Sequence, residues 1–203
     1  MIKININSEY INFSGGAKGA DSVWEEIGKE YNIGKQVNFR PEDLIKLSDK
    51  QLGEIEEAYK QCVKDLGRKF LNKDTYVGGL VRRDYLQVIN AEKIFAIGTI
   101  VKPNEKGPDG FINNTKKSII SGGTGYAVNM GINLNKIVYV FDQTLNKWFE
   151  TLYVKSIFDE IIFKQFVETD TPILSKKFAG VGTRKINKNG VIAIRNVYEK
   201  TFN

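Results

Sequence analysis

Three glycine-rich turns hold the residues of this chain best suited to chemistry: Ser14-Gly15-Gly16-Ala17-Lys18-Gly19-Ala20-Asp21, Ser121-Gly122-Gly123-Thr124-Gly125-Tyr126-Ala127, and Gly180-Val181-Gly182-Thr183-Arg184. Each follows an apolar run and opens a helical pattern. A turn with little side chain between a strand and a helix presents backbone N–H groups at the positive end of a helix dipole, which is a physical recipe for holding phosphate. Several such turns suit a ligand the size of a nucleotide. The hydroxyls of Ser14, Thr124 and Thr183 are candidate partners for phosphate or ribose oxygens, and Arg184 offers paired donors to a phosphate. Asp21 has two readings: an acceptor for ribose hydroxyls, or a first-turn residue whose charge suits the dipole.

Composition removes several classes of chemistry. The 203 residues include no histidine and one cysteine, Cys62. Ser-His-Asp and Cys-His nucleophiles, an imidazole base and a His/Cys zinc site are therefore excluded, and neither a metal nor a cofactor is expected. Cys62 reads as a small apolar filler within a helix. The formal charge of +6 favours an anionic partner, but Arg82-Arg83, Lys116-Lys117 and Lys176-Lys177 are dispersed, as on a solvated surface rather than a nucleic-acid groove. A hydrophobic content of 41% supports one compact body over 1–203. No apolar run approaches the roughly 20 residues that span a bilayer, and no secretory pattern opens the chain, so the expected location is the cytoplasm.

The positioning elements follow from periodicity. Ile11–Phe13 reads as the end of a strand and Asp21–Tyr31 as a helix with Trp24 and Ile27 on its inner face and Gly34 as a stop. Pro41 opens a short helical pattern. Ser48 and Gln51 form a capping-box signature for a helix to about Leu71, giving a helical insertion over 41–72. Tyr76–Ala91 reads as a helix feeding a buried strand, Lys93–Gly98, which implies a parallel sheet. Residues 99–118, with two prolines and two glycines, read as a long loop and candidate lid. Tyr126–Leu134 is a short helix, Lys136–Phe141 a strand, and Lys147–Val154 a strand or edge hairpin. Ser156–Val167 reads as a helical stripe, with Ile157, Phe158, Ile161, Ile162 and Phe166, packed on the sheet within a peripheral segment 144–172. The chain closes with a strand through Lys177–Gly182 and a helix from about Asn187 to Phe202. Trp24 and Tyr126 have the right chemistry to stack on a base or to pack a helix on the sheet; for Trp24 the core is the expected place.

Together, Phe-Ala-Gly-Val-Gly-Thr-Arg at 178–184, Ser-Gly-Gly-Ala-Lys-Gly-Ala-Asp at 14–21 and Gly-Gly-Thr-Gly-Tyr-Ala at 122–127 resemble the Rossmann-like SLOG superfamily, which includes Lonely Guy phosphoribohydrolases, DprA-type DNA-processing proteins and phage proteins. There the Gly-x-Gly-Thr-Arg unit normally precedes the Ser-Gly-Gly unit; here it follows. The resemblance therefore implies a circularly permuted α/β fold: an open, mainly parallel sheet with helices on both faces and chain ends lying close together. It also implies that Gly180, Gly182, Thr183 and Arg184 face Gly15, Gly16, Ala17, Lys18 and Gly19, and Gly122, Gly123, Thr124, Gly125 and Tyr126, across one cleft. Arg82-Arg83-Asp84 stands where SLOG proteins often carry an arginine that contacts nucleotide. Adjacent helical positions diverge, so at most one of Arg82 and Arg83 reaches the ligand.

The Lonely Guy Pro-Gly-Gly-x-Gly-Thr-x-x-Glu motif aligns its catalytic Glu with Asn129, which cannot act as a carboxylate. The resemblance thus implies a receptor: a protein that binds a phosphorylated nucleoside derivative, of cyclic-nucleotide or ADP-ribose type, without turnover. Among phage proteins such binding would sequester a host immune signal, in the host cytoplasm. The alternatives are an N-glycosidic hydrolase or transferase using another carboxylate, and DprA-like nucleic-acid binding, for which interleaved aromatic and basic residues are lacking. SLOG domains commonly pair, so a homo-oligomer is expected.

Overall fold

The computed structural model describes residues 7–156 and 158–203. In chain order the elements are β1 (Asn7–Ser14), α1 (Ala20–Glu30), β2 (Ile33–Asn38), a 3-10 turn (Pro41–Lys46), α2 (Asp49–Asp65), α3 (Tyr76–Asn90), β3 (Lys93–Gly98), β4 (Ile100–Val101), β5 (Ile119–Ile120), α4 (Thr124–Asn133), β6 (Ile137–Asp142), β7 (Lys147–Lys155), β8 (Ile161–Thr169), β9 (Lys177–Gly182) and α5 (Lys188–Phe202). Seven strands form one mixed sheet in the order β2-β1-β9-β3-β6-β7-β8, parallel from β2 to β6 and antiparallel at β7 and β8.

The strand encoded last among the seven lies between β1 and β3. Counted from β9, the five parallel strands stand in the doubly wound order 3-2-1-4-5. The end of α5 meets β1 through Phe202 and Tyr10, whose rings lie 4.9 Å apart edge to face. The two described ends are therefore neighbours in space.

Period-two alternation in the buried strands feeds two cores. From β3, Ile94 and Ala96 face a layer built by α2, α3 and α4 with Tyr59, Cys62, Val88 and Met130, while Phe95 and Ile97 face α1 and α5. Trp24 is fully buried in the second core against Phe95, Phe178 and Tyr198, as its place on the inner face of α1 predicts. Tyr198 Oη donates to the Trp24 carbonyl at 2.9 Å, so the phenol is satisfied without reaching water. Cys62 is buried in the other core, and burial pushes its thiol pKa up, as a filler rather than a reactive group requires.

Local signals place the helix ends. Ser48 N–H donates to Gln51 Oε1 at 3.0 Å and Ser48 Oγ accepts from Gln51 N–H at 3.4 Å, the reciprocal pair expected. α2 stops at Asp65 rather than near Leu71, because Arg68 N–H turns back to the Val63 carbonyl and Gly67 N–H to Lys64, with Gly67 just past the cap. α1 is terminated by Asn32 in the left-handed region, φ 54°. Gly34 is instead part of β2, which pairs in parallel with β1.

From Ile161 to Thr169 the chain is a strand, not the helical stripe expected over 156–167. Ser156 N–H donates to the Glu160 carbonyl, and Asp159 adopts φ 61°, which turns the chain so that β8 pairs antiparallel with β7. Its β-branched and aromatic residues fit a pleated surface as well as a helical stripe, and the open edge of β7 decides between them; Ile157 lies outside the described residues. Residues 99–118 are also more ordered than a loop. β4 and β5 pair antiparallel, and a bridge between Lys106 and Ile112 makes a hairpin flap whose tip is Gly107-Pro108-Asp109-Gly110. Among the described residues no helix is long and apolar enough to cross a membrane.

Candidate functional site

A cleft of about 560 Å³ lies beyond the carboxyl ends of β9, β3 and β6, at the point where the doubly wound order reverses. The three glycine turns meet there: Ala17 and Asp21 from the first, Ser121, Gly122, Gly123 and Thr124 from the second, and Gly182, Thr183 and Arg184 from the third. The strand order explains the convergence. β1 pairs with β9, so the first and third turns leave adjacent strands, while the second turn follows β5, which pairs with β4 just past the end of β3.

The first and third turns are clasped together by Asp21. Its carboxylate accepts from Gly15 N–H at 3.2 Å and from Gly182 N–H at 3.1 Å, with Ala17 N–H as a further donor. Burial raises the Asp21 pKa, and Arg83 and these N–H groups pull against that rise. The amides of Gly15 and Gly182 are thus satisfied inside the protein, and Asp21 serves the fold first. Gly19 has φ 114°, and a Cβ there would come within 2.5 Å of Arg184 Cα, so only glycine lets the first turn seat against the third.

The second turn is arranged differently. Gly123 is the N-cap of α4 and supplies no side-chain cap, and the N–H groups of Gly125 and Tyr126 turn back to the carbonyls of Gly122 and Gly123. Arg68 draws back the carbonyls of Gly122 (2.7 Å) and Ile120 (3.0 Å) while lying over the Tyr126 ring. From the flap, Asp109 Oδ2 accepts from Gly122 N–H at 2.8 Å. Burial raises the Asp109 pKa, but the N–H groups of Gly122 and Phe111, the Ser121 side chain and Arg68 outweigh it and hold the carboxyl below the usual range. The tip of the candidate lid already rests at this helix end.

α3 forms a further wall and separates the two arginines. Arg82 leaves the cleft: its guanidinium grips Glu56 at 2.6 and 3.0 Å and lies 4.0 Å from the Tyr59 ring centroid. Arg83 lines the cleft, as does Asp84, which it meets at 3.1 Å. The absence of a side chain on Gly15 makes room for the Arg83 guanidinium, which a Cβ would overlap. With its amide set by the surrounding donors, Gln87 accepts through its oxygen from Gly15 N–H at 2.9 Å and from Arg83. Arg83 Nε is buried without a partner among the described residues. Burial pushes the Asp84 carboxyl up to about 7; Arg83 opposes that shift and the nearby Asp21 adds to it.

Several expected site residues lie elsewhere. Ser14 is buried and donates to the Gly180 carbonyl at 3.1 Å, while Gly180 N–H donates to Asn12 Oδ1, so both are ties between β1 and β9. Gly16 lies against Asn38 and Lys18 is exposed, neither on the cleft wall. Gly125 packs on the Ile120 carbonyl, and Tyr126 stacks on Tyr59, in the core rather than on a ligand face. Asn129 lines a separate groove between α4, α2 and β8, away from the turns.

Sequence reasoning missed Asp84 and Gln87 as cleft residues, together with Asp109, Lys185 and the apolar wall of Leu80, Val81, Ala127 and Val181. The Arg83 and Gln87 spacing of one helical turn was the available signal. The flap contact carried none. Among the described residues there is no cluster of three or more His, Cys, Asp or Glu suited to a metal ion. No protein-family model, curated protein or solved structure matches the chain.

Proposed function

We propose that the chain is a nucleotide receptor: it binds a phosphorylated nucleoside derivative in the cleft between the three turns and does not turn it over. The observation that carries this reading is the meeting of all three turns at the switch point of a doubly wound sheet, beside a helix end without a side-chain cap. Phosphate would sit at the α4 N-terminus near Gly123 and Thr124, because the first turn already holds a carboxylate of its own. Arg184 and Lys185 on the rim supply positive charge, and Leu80, Val81, Ala127 and Val181 supply an apolar wall for the base. The flap supplies a cover that slows release, as capture of a signalling nucleotide requires. The resemblance to SLOG proteins of phages adds a biological context, the withdrawal of a host defence signal by a homo-oligomeric binder.

The test is calorimetric titration of the purified chain with a panel of mono-, di- and cyclic nucleotides and ADP-ribose, followed by heat release and mass analysis of the ligand. Tight binding with ligand recovered unchanged supports the reading; altered ligand overturns the claim of no turnover. A second reading, N-glycosidic hydrolysis or transfer, draws on Asp84, a cleft carboxyl poised to exchange a proton near neutrality. Product formed by the native chain and abolished in D84N selects it.

A further inference from the structure

One wall of the cleft carries a buried donor without a partner among the described residues, beside a carboxyl that lines the cleft. Arg83 is 5% exposed, and its Nε has no partner among the described residues, although its terminal nitrogens serve Asp84 and Gln87. Asp84 meets Arg83 through Oδ1 at 3.1 Å. Its side chain is 13% exposed, and that exposure opens on the cleft. Asp21 cannot complete the arrangement, since its oxygens are committed to the turn amides and its charge repels that of Asp84.

The chemistry that fits is narrow. A phosphate would place anion against two carboxyls that share one guanidinium, so the anionic end of a ligand belongs at α4 instead. A hydroxyl donates as well as accepts, so it can donate to the Asp84 carboxyl without adding charge beside Arg83. We propose that the Arg83–Asp84 pair is a sugar-hydroxyl site, through which the cleft selects ribonucleotides over their deoxy counterparts. The inference rests on the reading of the cleft as a nucleotide site, and it gives Asp84 the ribose-accepting part that sequence alone offered to Asp21.

The experiment is titration of the full chain with ADP-ribose and the four ribonucleoside 5′-monophosphates, each monophosphate paired with its 2′-deoxy and 3′-deoxy forms. The expected result is a ribonucleotide bound roughly 10- to 100-fold more tightly than a deoxy form, the range for one hydrogen bond to a charged group. D84N and D84A bring that ratio close to one. In the native chain the ratio also falls as pH drops below about 7, where Asp84, faced by Arg83 and Asp21, takes up a proton and accepts more weakly. Equal affinity for both forms in the native chain overturns the hydroxyl site, as does an equal loss for both in D84N. Failure of every compound to bind the native chain overturns the nucleotide reading itself, an outcome distinct from loss of discrimination.

Discussion

Asp109 Oδ2 accepts from Gly122 N–H at 2.8 Å, so the tip of the flap occupies the same helix end at which an anionic ligand would be held. A carboxylate and a phosphate cannot share one N–H. D109A is expected to bind inorganic phosphate and nucleotides roughly tenfold more tightly, the size of one charge-assisted hydrogen bond removed from competition. Limited proteolysis should cut D109A faster within 106–112. Unchanged affinity would show that ligand and flap use different donors.

The two neighbouring arginines should separate stability from binding. Arg82 is buried between Glu56 and the Tyr59 ring, so R82A leaves a carboxylate without its partner and is expected to cost about 2–3 kcal/mol in denaturant unfolding, with ligand affinity unaltered in the folded fraction. R83A should do the reverse in kind, weakening ligand binding more than it weakens the fold. Matching effects from both substitutions would contradict the division of α3 into a core side and a cleft side.

Asp84 makes stability depend on pH in a defined direction. Its folded-state pKa near 7 lies above the ordinary aspartate value, so the folded state binds the proton more tightly than the unfolded chain does. That contribution is complete below about pH 4, declines as pH rises toward 7, and is gone above it. Asp21 shifts the same way and adds to the trend. D84N should therefore flatten the decline, by an amount on the order of 4 kcal/mol between pH 4 and 8, read from urea midpoints. A native chain equally stable across that interval would sink this account.

Gly15 is the place where the first turn and α3 touch most closely. G15A puts a methyl group into the space of the Arg83 guanidinium and must move it or the turn. A loss of about 1–3 kcal/mol in thermal unfolding, with reduced nucleotide affinity, is expected from such overpacking. A variant with native stability and affinity would mean that Arg83 can swing aside freely.

Much of the architecture was legible because local and tertiary preferences agree. The runs at Lys93–Gly98 and Ile137–Asp142 are too apolar and too short for anything but buried parallel strands, and the glycine turns mark where helices begin. β8 was misread because Ile161, Ile162 and Phe166 suit a helix and a strand equally, and the deciding fact, a free edge on β7, is not local. β2 escaped notice because its residues Lys35, Gln36 and Asn38 carry little apolar pattern at the rim of the sheet. At the site, the turns announced themselves through glycine, whereas Asp84 and Asp109 act through neighbours brought by the fold. The succession of the glycine motifs was the ground for expecting the last strand beside the first, and β9 lies between β1 and β3.

That placement has a consequence for biogenesis. A nascent chain emerging from the ribosome can pair β1 with β2, and β3 with β6, but the two halves share no hydrogen-bonded seam until residues 177–182 arrive. The keystone is synthesised after the arch that it locks. Until then two bare parallel edges stand open, so translation speed and chaperone cover over the final stretch, rather than the early one, govern the yield of native protein.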